Sequence, residues 1–504
     1  MKIFIGIVAG LAILVGFFQL HRGGDGLSIT RTTVGETPVT IFKPQSGTPA
    51  PVVVIAHGFA GSQQLMQPFA ITMARNGYIA VTFDFLGHGR NSNPMRGNIT
   101  DGTGITSALQ KELGDIAAFA KALLPGGDGR IAVLGHSMAS DIVVRFAQAT
   151  PEVQATVAVS VFSPVVTATS PRNLLVIVGA LEPAMLQDEG LRIVNLAAGG
   201  HAVAGETYGD FSDGTARKLV LARGVEHIGV LYSRDSLEQS LQWMNRTFGR
   251  QPTGFIDSRG RWLALLFGGI IALAWPLSAL LPVASVEPVG TSLDWKPLLV
   301  AASVPALLTP LILWKLPTDF LPILLGDYLA LHFLLYGALT AAATIYLTRH
   351  ARASPRMTGW TSIAIAADCV AAYNIIAFGL PIDAYVFSFL PIPARIPLIA
   401  VIVCGTLPYF IADEWLTRGP DARRGAYALT KFCFLLSLGV AVALNPMKLF
   451  FLVIIVPAIL LLFLAFGLIS RWSYAATHHP LPGALANAAI FAWGIAVTFP
   501  TIVR

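Results

Sequence analysis

VLGHSMAS, residues Val133–Ser140, decides how the N-terminal half of this chain is read. An apolar run leads into Gly135-His136-Ser137-Met138-Ala139, and a helical pattern follows at Ala139–Ala149. A nucleophile carried on a sharp strand-to-helix turn needs small flanking residues, because bulk on either side collides as the backbone doubles back. Such a turn holds a serine hydroxyl out at the carboxyl end of a sheet, on strained backbone angles. The five residues follow the pattern G-x-S-x-G with one departure, Ala139 at the last position. A methyl there is a small intrusion. By itself the stretch also fits an ordinary strand, turn and helix that happen to carry a serine.

Working outward, residues 27–249 alternate short apolar runs with helical ones. The runs are Pro51–Gly58, Tyr78–Asp84, Arg130–Ser137, Ala155–Ser163, Asn173–Gly179 and Arg217–Gly224. They are continuously apolar, as strands buried on both faces of a parallel sheet are. Helical stretches such as Ala108–Leu124 and Ala139–Ala149 separate them, and the amphipathic Ser236–Phe248 closes the region. Strand and helix in repeated alternation predict an α/β domain over 27–250, with a doubly wound, mostly parallel sheet.

Three other segments stand in order around the first. AHGFAGS (Ala56–Ser62) follows one strand, DFLGHGRNS (Asp84–Ser92) the next, and VEHIGVLYS (Val225–Ser233) the last. With the serine turn they make the region resemble the α/β-hydrolase family of the serine esterase and lipase type. The first looks like that family's His-Gly-x oxyanion segment, the second like its D-x-x-G-H-G-x-S turn, the third like its histidine loop. The resemblance implies the chain order serine, acid, histidine. It makes Ser137 the nucleophile and His227 the base. The acid should follow the next-to-last strand, where NLLVIVGALEP offers Glu182, three residues after Gly179. The family commonly has aspartate there, and Asp188 and Asp210 compete for the role. The backbone N–H groups of Phe59 and Met138 are the expected oxyanion donors, supported by Gly58, Gly135, His136 and Ala139. His57 and His136 are read as shaping backbone turns, and His88 as tying its own loop. Such chemistry proceeds through an acyl-serine that water cleaves, with no metal and no organic cofactor.

Composition sets the rest apart. Of 504 residues 54% are hydrophobic and only 12% charged, where an ordinary soluble domain is about a quarter charged. Much of the chain is therefore expected in lipid. Ile3–Leu20 is an uncharged run, apolar but for Gln19, long enough to just span a bilayer. It is longer than the apolar core of a signal peptide and lacks a small-residue cleavage site, so residues 1–22 are read as an uncleaved anchor. From Trp262 long apolar runs dominate, and residues 260–504 are expected to form an all-α transmembrane domain of about eight spans. Pro391, Pro393 and Pro397 interrupt the span expected over 385–412. The arginines of loops 348–358 (Arg349, Arg352, Arg356) and 413–425 (Arg418, Arg423, Arg424), with Arg471, fall on one side. The positive-inside rule makes that side cytoplasmic and places the α/β domain on the non-cytoplasmic, periplasmic face of an inner or plasma membrane. The net charge of +6 fits basic membrane loops. No basic cluster with interleaved aromatics points to nucleic acid. Cys369, Cys404 and Cys433 all lie in apolar runs, without disulfide or metal spacing.

Ionisable groups inside spans are costly and often functional. Asp327 and His332 in one span, Asp368 in another and Arg395 among the prolines form a candidate intramembrane polar site, against the plainer reading of interhelical hydrogen bonds. The expected function is a membrane-embedded serine hydrolase acting on acyl esters, lipid-like because no large cap fits between Ser163 and Glu182. Thr100–Thr106 reads as a flap over the site. Two rivals stand beside it: an acyltransferase using the same acyl-serine with a membrane-delivered acceptor, and a transporter or binding protein with a non-catalytic hydrolase-like domain. The sequence carries no reading of oligomeric state.

Overall fold

In the strand Ala50–Ala56 all seven residues are buried, yet alternate ones serve different layers. Val53 and Ile55 pack in one hydrophobic cluster, Val52, Val54 and Ala56 in another. That division requires helices on both faces of the sheet. The computed structural model describes residues 1–96, 102–122, 124–251, 254–349 and 359–503, without the side chains of 102 and 103.

The chain divides into two compact units. One holds Val15–Leu265, Ile382–Phe389 and Pro500–Arg504; the other holds Met1–Leu14, Leu266–Pro381 and Leu390–Phe499. In the first, the elements run α1 (Lys2–Arg22, whose last turns belong here), β1 (Leu27–Val34), β2 (Thr37–Pro44), β3 (Ala50–Ala56), α2 (Gln67–Arg75), β4 (Ile79–Phe83) and α3 (Gly102–Ala122). They continue with β5 (Gly127–His136), α4 (Met138–Ala149), β6 (Val153–Val159), β7 (Leu174–Gly179), α5 (Ala184–Ala198), β8 (Thr207–Tyr208), β9 (Arg217–Ala222) and α6 (Arg234–Phe248). One nine-stranded sheet results, in the order β1-β2-β4-β3-β5-β6-β7-β9-β8. The centre from β4 to β9 is parallel, while β1, β2 and β8 pair antiparallel at the edges. Helices α2 and α6 cover one face through Phe69, Met73, Leu237 and Met244. Helices α3 and α4 cover the other through Leu113, Ile116, Ile142 and Val143. The region is thus an α/β fold with a mostly parallel sheet, and β1 and β2 lie outside the strands expected from apolar runs. In β1 six of eight residues are exposed, so its sequence carries no buried run to read.

The second unit is helical: α7 (Gly260–Leu277, of which it holds Leu266 onward), α8 (Trp295–Leu313), α9 (Gly326–Thr348), α10 (Trp360–Tyr373), α11 (Gly379–Tyr385, of which it holds the part up to Pro381), α12 (Ile396–Thr417), α13 (Ala426–Leu444), α14 (Pro446–Leu449), α15 (Leu452–Thr477) and α16 (Leu481–Thr498). Together with α1, nine helices among the described residues are long and apolar enough to cross a membrane. One π-helical turn, Asn374–Phe378, joins α10 to α11 in a single candidate span that runs to Tyr385. The next begins only at Pro393, eight residues later than expected. Pro391 precedes that start, while Pro393 and Pro397 fall in the first positions of the 3-10 turn 393–395 and of α12, where a missing N–H has no helical partner to serve. Of the expected flap, Thr100 and Asp101 lie outside the described residues, and Gly102 already opens α3. Arg352 and Arg356 also lie outside them.

The turn after β4 is braced from α3 by Glu112. Its buried carboxyl accepts from Thr37 Oγ1 at 2.7 Å, Leu86 N at 2.8 Å and Asn91 Nδ2 at 2.9 Å. Burial outweighs these donors and pushes the carboxyl up to about 7, from an ordinary 4.5. A raised folded-state value means the folded chain holds a proton that the unfolded chain has released between those values. The contribution is present below about 4.5 and is lost as pH rises through about 7. The thermal midpoint of the detergent-purified chain is therefore expected to fall between about pH 5 and pH 8, by a share worth roughly 3 kcal/mol. Glu112→Gln should flatten that slope; an unaltered slope would show that another group sets it.

Candidate active site

The site is built at the carboxyl ends of β3, β5, β7 and β9. At the end of β5, Ser137 adopts φ 55° and ψ −118°, a left-handed conformation that costs a non-glycine residue about 1–3 kcal/mol. Neighbouring groups hold it there. Ser137 N donates to Val159 O at 2.8 Å, and its carbonyl accepts from Ser140 N at 2.8 Å and Ser140 Oγ at 2.6 Å. A Cβ at Gly135 would lie 2.4 Å from Ala139 O, so position 135 admits only glycine. Ala139 itself is fully buried and its methyl is accommodated.

This turn places Ser137 Oγ 3.0 Å from His227 Nε2. His227 stands on the loop after β9, and its Nδ1 lies 2.7 Å from Glu182 Oε2. Glu182, 4% exposed, follows β7. Its other oxygen accepts from Gly179 N and from Ser160 Oγ, each at 2.7 Å. A carboxylate saturated in this way keeps one oxygen for the imidazole, and Nδ1–H is the group that oxygen can accept from. The two competing acids are elsewhere: Asp188 is exposed on α5, and Asp210 accepts from Ser212 within its own loop. Ser137, His227 and Glu182 are thus brought together from three loops.

His136 is more than a turn former. Its Nε2 lies 3.0 Å from the carbonyl of His227, and the two rings are 4.8 Å apart. Burial above all, with the charge of His227 behind it, drives the His136 ring well below the usual histidine range, so it stays neutral. A neutral ring donating from Nε2 fixes the loop that carries His227.

On the other side of Ser137 runs the segment after β3. A Cβ on Gly58 would stand 2.9 Å from Ser137 Cβ, which measures how closely this segment passes the serine. Met138 is the first residue of α4, where an N–H has no partner within its own helix. His57 Nδ1 lies 2.8 Å from Gly58 O and its Nε2 accepts from Phe85 N at 3.1 Å, so one buried imidazole ties the segment to the turn after β4. In that turn Asp84 accepts from Gln63 N at 2.8 Å, Gln63 Nε2 at 3.1 Å and Arg90 N at 3.0 Å. Ala60 and Ser160 also have positive φ, at 55° and 54°, so three strained non-glycine residues flank the site. Ser160, Asp84 and Gln63 were not among the residues expected from sequence. For Asp84 and Gln63 the signal was the first residue of the D-x-x-G-H-G-x-S turn; Ser160 had none.

The four intramembrane candidates do not gather in the same way. Asp327 accepts from Phe320 N at 3.0 Å and Tyr328 N at 2.9 Å near the start of α9. His332 meets Ser437 Oγ at 3.1 Å, and Arg395 donates to the carbonyls of Ala496 and Phe499 at 2.6 and 2.8 Å. Asp368 is exposed. The larger charged cluster is one that sequence reading passed over. Lys431 pairs with Asp413, with Tyr409 OH 3.2 Å away, and Arg418 pairs with Glu414 at 3.0 Å. Arg418, counted above among the loop cations, is buried against Tyr427. Among the described residues no group of three or more His, Cys, Asp or Glu side chains could hold a metal ion.

The mostly parallel sheet and the arrangement of Ser137, His227 and Glu182 make the N-terminal region resemble the α/β-hydrolase fold. Within it, residues 47–187 match the model of a hydrolase family described as serine aminopeptidase, S33. Among solved structures, an esterase from Pyrobaculum calidifontis is similar at 15% identity, over 49% of this chain and 93% of its own, with a TM-score of 0.34. A Klebsiella pneumoniae protein assigned as a dienelactone hydrolase is similar at 16% identity, over 45% of this chain and all of its own, also at 0.34. Among curated proteins none matches the chain.

Gly135→Ala tests the backbone argument. It is expected to destabilise the domain by about 1–3 kcal/mol, as overpacking does, and to lower the thermal midpoint of the purified protein. An unchanged midpoint would refute the close approach to Ala139.

Proposed function

We propose that this protein is a membrane-embedded serine hydrolase that cleaves acyl esters of lipid-like substrates through an acyl-serine intermediate. The observation that carries the reading is the imidazole of His227, within 3.0 Å of a serine hydroxyl and 2.7 Å of a buried carboxylate. Serine becomes a useful nucleophile only when a base takes its proton. His227 Nε2 takes it as Oγ attacks the carbonyl carbon. Glu182 holds the ring and stabilises its charged form. The oxyanion that forms is met by the N–H groups of Met138 and Phe59. His227 then returns the proton to the leaving alcohol, and water repeats the sequence in reverse to free the acid.

Two features support an apolar substrate. Residues 160–173, between β6 and β7, hold turns, bends and irregular backbone without a helix, so no helical cap is inserted there. The loops that carry the site, with the first turn of α5, also expose large apolar side chains: Phe162 (55%), Leu181 (66%), Met185 (50%) and Ile228 (37%). Leu181 and Ile228 are the immediate neighbours of Glu182 and His227.

Span parity supports the orientation. Segments 382–389 and 500–504 belong to the same compact unit as the α/β region. Four candidate spans separate Leu265 from Phe389, and four more separate it from Pro500. An even number returns the chain to the side it left, so one face holds all three segments. The arginine loops then fall on the opposite, cytoplasmic face.

A fluorophosphonate probe should label the wild-type protein and leave Ser137→Ala unlabelled. Turnover of a p-nitrophenyl ester series should rise with acyl length. It should fall by roughly 10⁴-fold or more in Ser137→Ala and by about 10⁴-fold in Glu182→Gln. Aminoacyl-anilides run in parallel test the peptidase activity in the matched family's description. Labelling retained in Ser137→Ala would overturn the reading.

A further inference from the structure

A cavity of about 450 Å³ lies in the same compact unit; Ser137, His227 and Glu182 do not line it, and it meets the surroundings of the candidate active site at Gln63 and Arg90. Part of its wall comes from places where the chain enters or leaves candidate spans. Leu20 and His21 end the first span, Arg259 immediately precedes the second, and Ala384 with Tyr385 ends the fifth. Three span ends converging on one cavity set it at the depth of the lipid headgroups. The volume falls within the usual range for small-ligand sites, roughly 300–1,000 Å³.

The lining is chemically specific. Three guanidinium groups border the cavity: Arg31, Arg90 and Arg259. Arg259 is occupied by Asp257 and Gln67, and Arg90 by Asp383. Asp25, the one carboxylate in the lining, pairs with Arg22, whereas Arg31 has no carboxylate partner among the described residues and is the cation available to a ligand. Gln63 also lines it and is 6% exposed. Its Nε2 is committed to Asp84 Oδ2 at 3.1 Å, which turns its Oε1 the other way. That oxygen is buried and lacks a hydrogen-bond partner among the described residues. A buried acceptor left unsatisfied calls for a donor. Leu27, Ile29 and Phe42 supply the apolar wall beside these polar groups.

We propose that this cavity binds the headgroup of an anionic phospholipid of the phosphoglycerol type, its phosphodiester on Arg31 and a glycerol hydroxyl donating to Gln63 Oε1. Guanidinium suits a phosphate oxygen better than any other side chain does. A hydroxyl supplies the donor that Gln63 lacks, and acyl chains leave toward the span ends. The inference rests on the membrane reading above and is independent of the acyl chemistry.

The test uses the full chain purified in a mild non-ionic detergent, titrated with dihexanoyl-phosphatidylglycerol and read by native mass spectrometry and thermal shift. One saturable site is expected, equally strong in Ser137→Ala, and weakened about tenfold or more in Arg31→Gln. Gln63→Leu should weaken it as well, and because Gln63 also holds Asp84, the exposed-strand variant Arg31→Gln carries the decision. Dihexanoyl-phosphatidylcholine, which has the phosphate without the hydroxyl, should bind at least several-fold more weakly. Glycerol 3-phosphate, without acyl chains, should bind more weakly still. Absence of a saturable site, or an unchanged affinity in Arg31→Gln, overturns the proposal. Equal binding of the choline lipid overturns the hydroxyl assignment, and equal binding of glycerol 3-phosphate makes the ligand a soluble phosphate monoester instead. Extraction of native membranes with alkaline carbonate reads the membrane assignment separately: release of the protein there refutes that premise, whatever the binding result.

Discussion

A hydroxyl can be aimed out of a sheet edge only if the backbone reverses within one residue, and here that reversal falls on Ser137. Its left-handed φ is unfavourable for any residue with a Cβ. It persists because the carbonyl is pinned twice by Ser140 and the N–H by Val159. Everything around the site is arranged to leave that turn room. Gly135 and Gly58 yield space where a side chain would strike Ala139 or Ser137 itself. The strain is local, and the parallel sheet behind it, buried on both faces, is the support that makes it affordable.

The parts of this arrangement that sequence discloses are those whose physics is local. A strand buried on both sides must be continuously apolar, and a tight turn must be flanked by small residues. Both constraints act within about ten residues, so β3, β5 and the serine turn could be read directly. The hairpin of β1 and β2 could not, because β1 faces solvent and its stability comes from pairing with β2 rather than from its own apolar content. Glu182 was legible only as one of three acids. What separates it from Asp188 and Asp210 is burial and two donors, Gly179 N and Ser160 Oγ, and those depend on how β6 and β7 pair.

The same limit explains the helical unit. Residue type tells that a charge within an apolar run needs a partner. It does not tell where the partner is. Lys431 and Asp413 lie on different helices, 18 positions apart, and their meeting depends on helix packing. Asp327, isolated on paper, proves to sit at a helix start, where its carboxylate meets backbone N–H groups. Arg418 looks like a loop cation until α12 is seen to extend to Thr417, which brings Arg418 back over Glu414, one helical turn away. Charge pairing across one turn neutralises it and removes it from the count of free loop arginines.

One chain of contacts runs from the cavity beside Gln63 to Ser137. Gln63 holds Asp84; the residue after Asp84 donates to His57; His57 holds Gly58; and Gly58 abuts Ser137. Adjacency of this kind is not by itself a signal path, because coupling needs an element with two arrangements that both sites bias. The contacts point the other way. Asp84 already receives three donors, and His57 is engaged through both ring nitrogens. A bridge so fully bonded has one arrangement. A ligand in the cavity would therefore act by mass action on the folded state, raising the stability of the turn that supports the segment after β3. It would not switch turnover. The cavity and the active site share a scaffold, and their connection is rigidity.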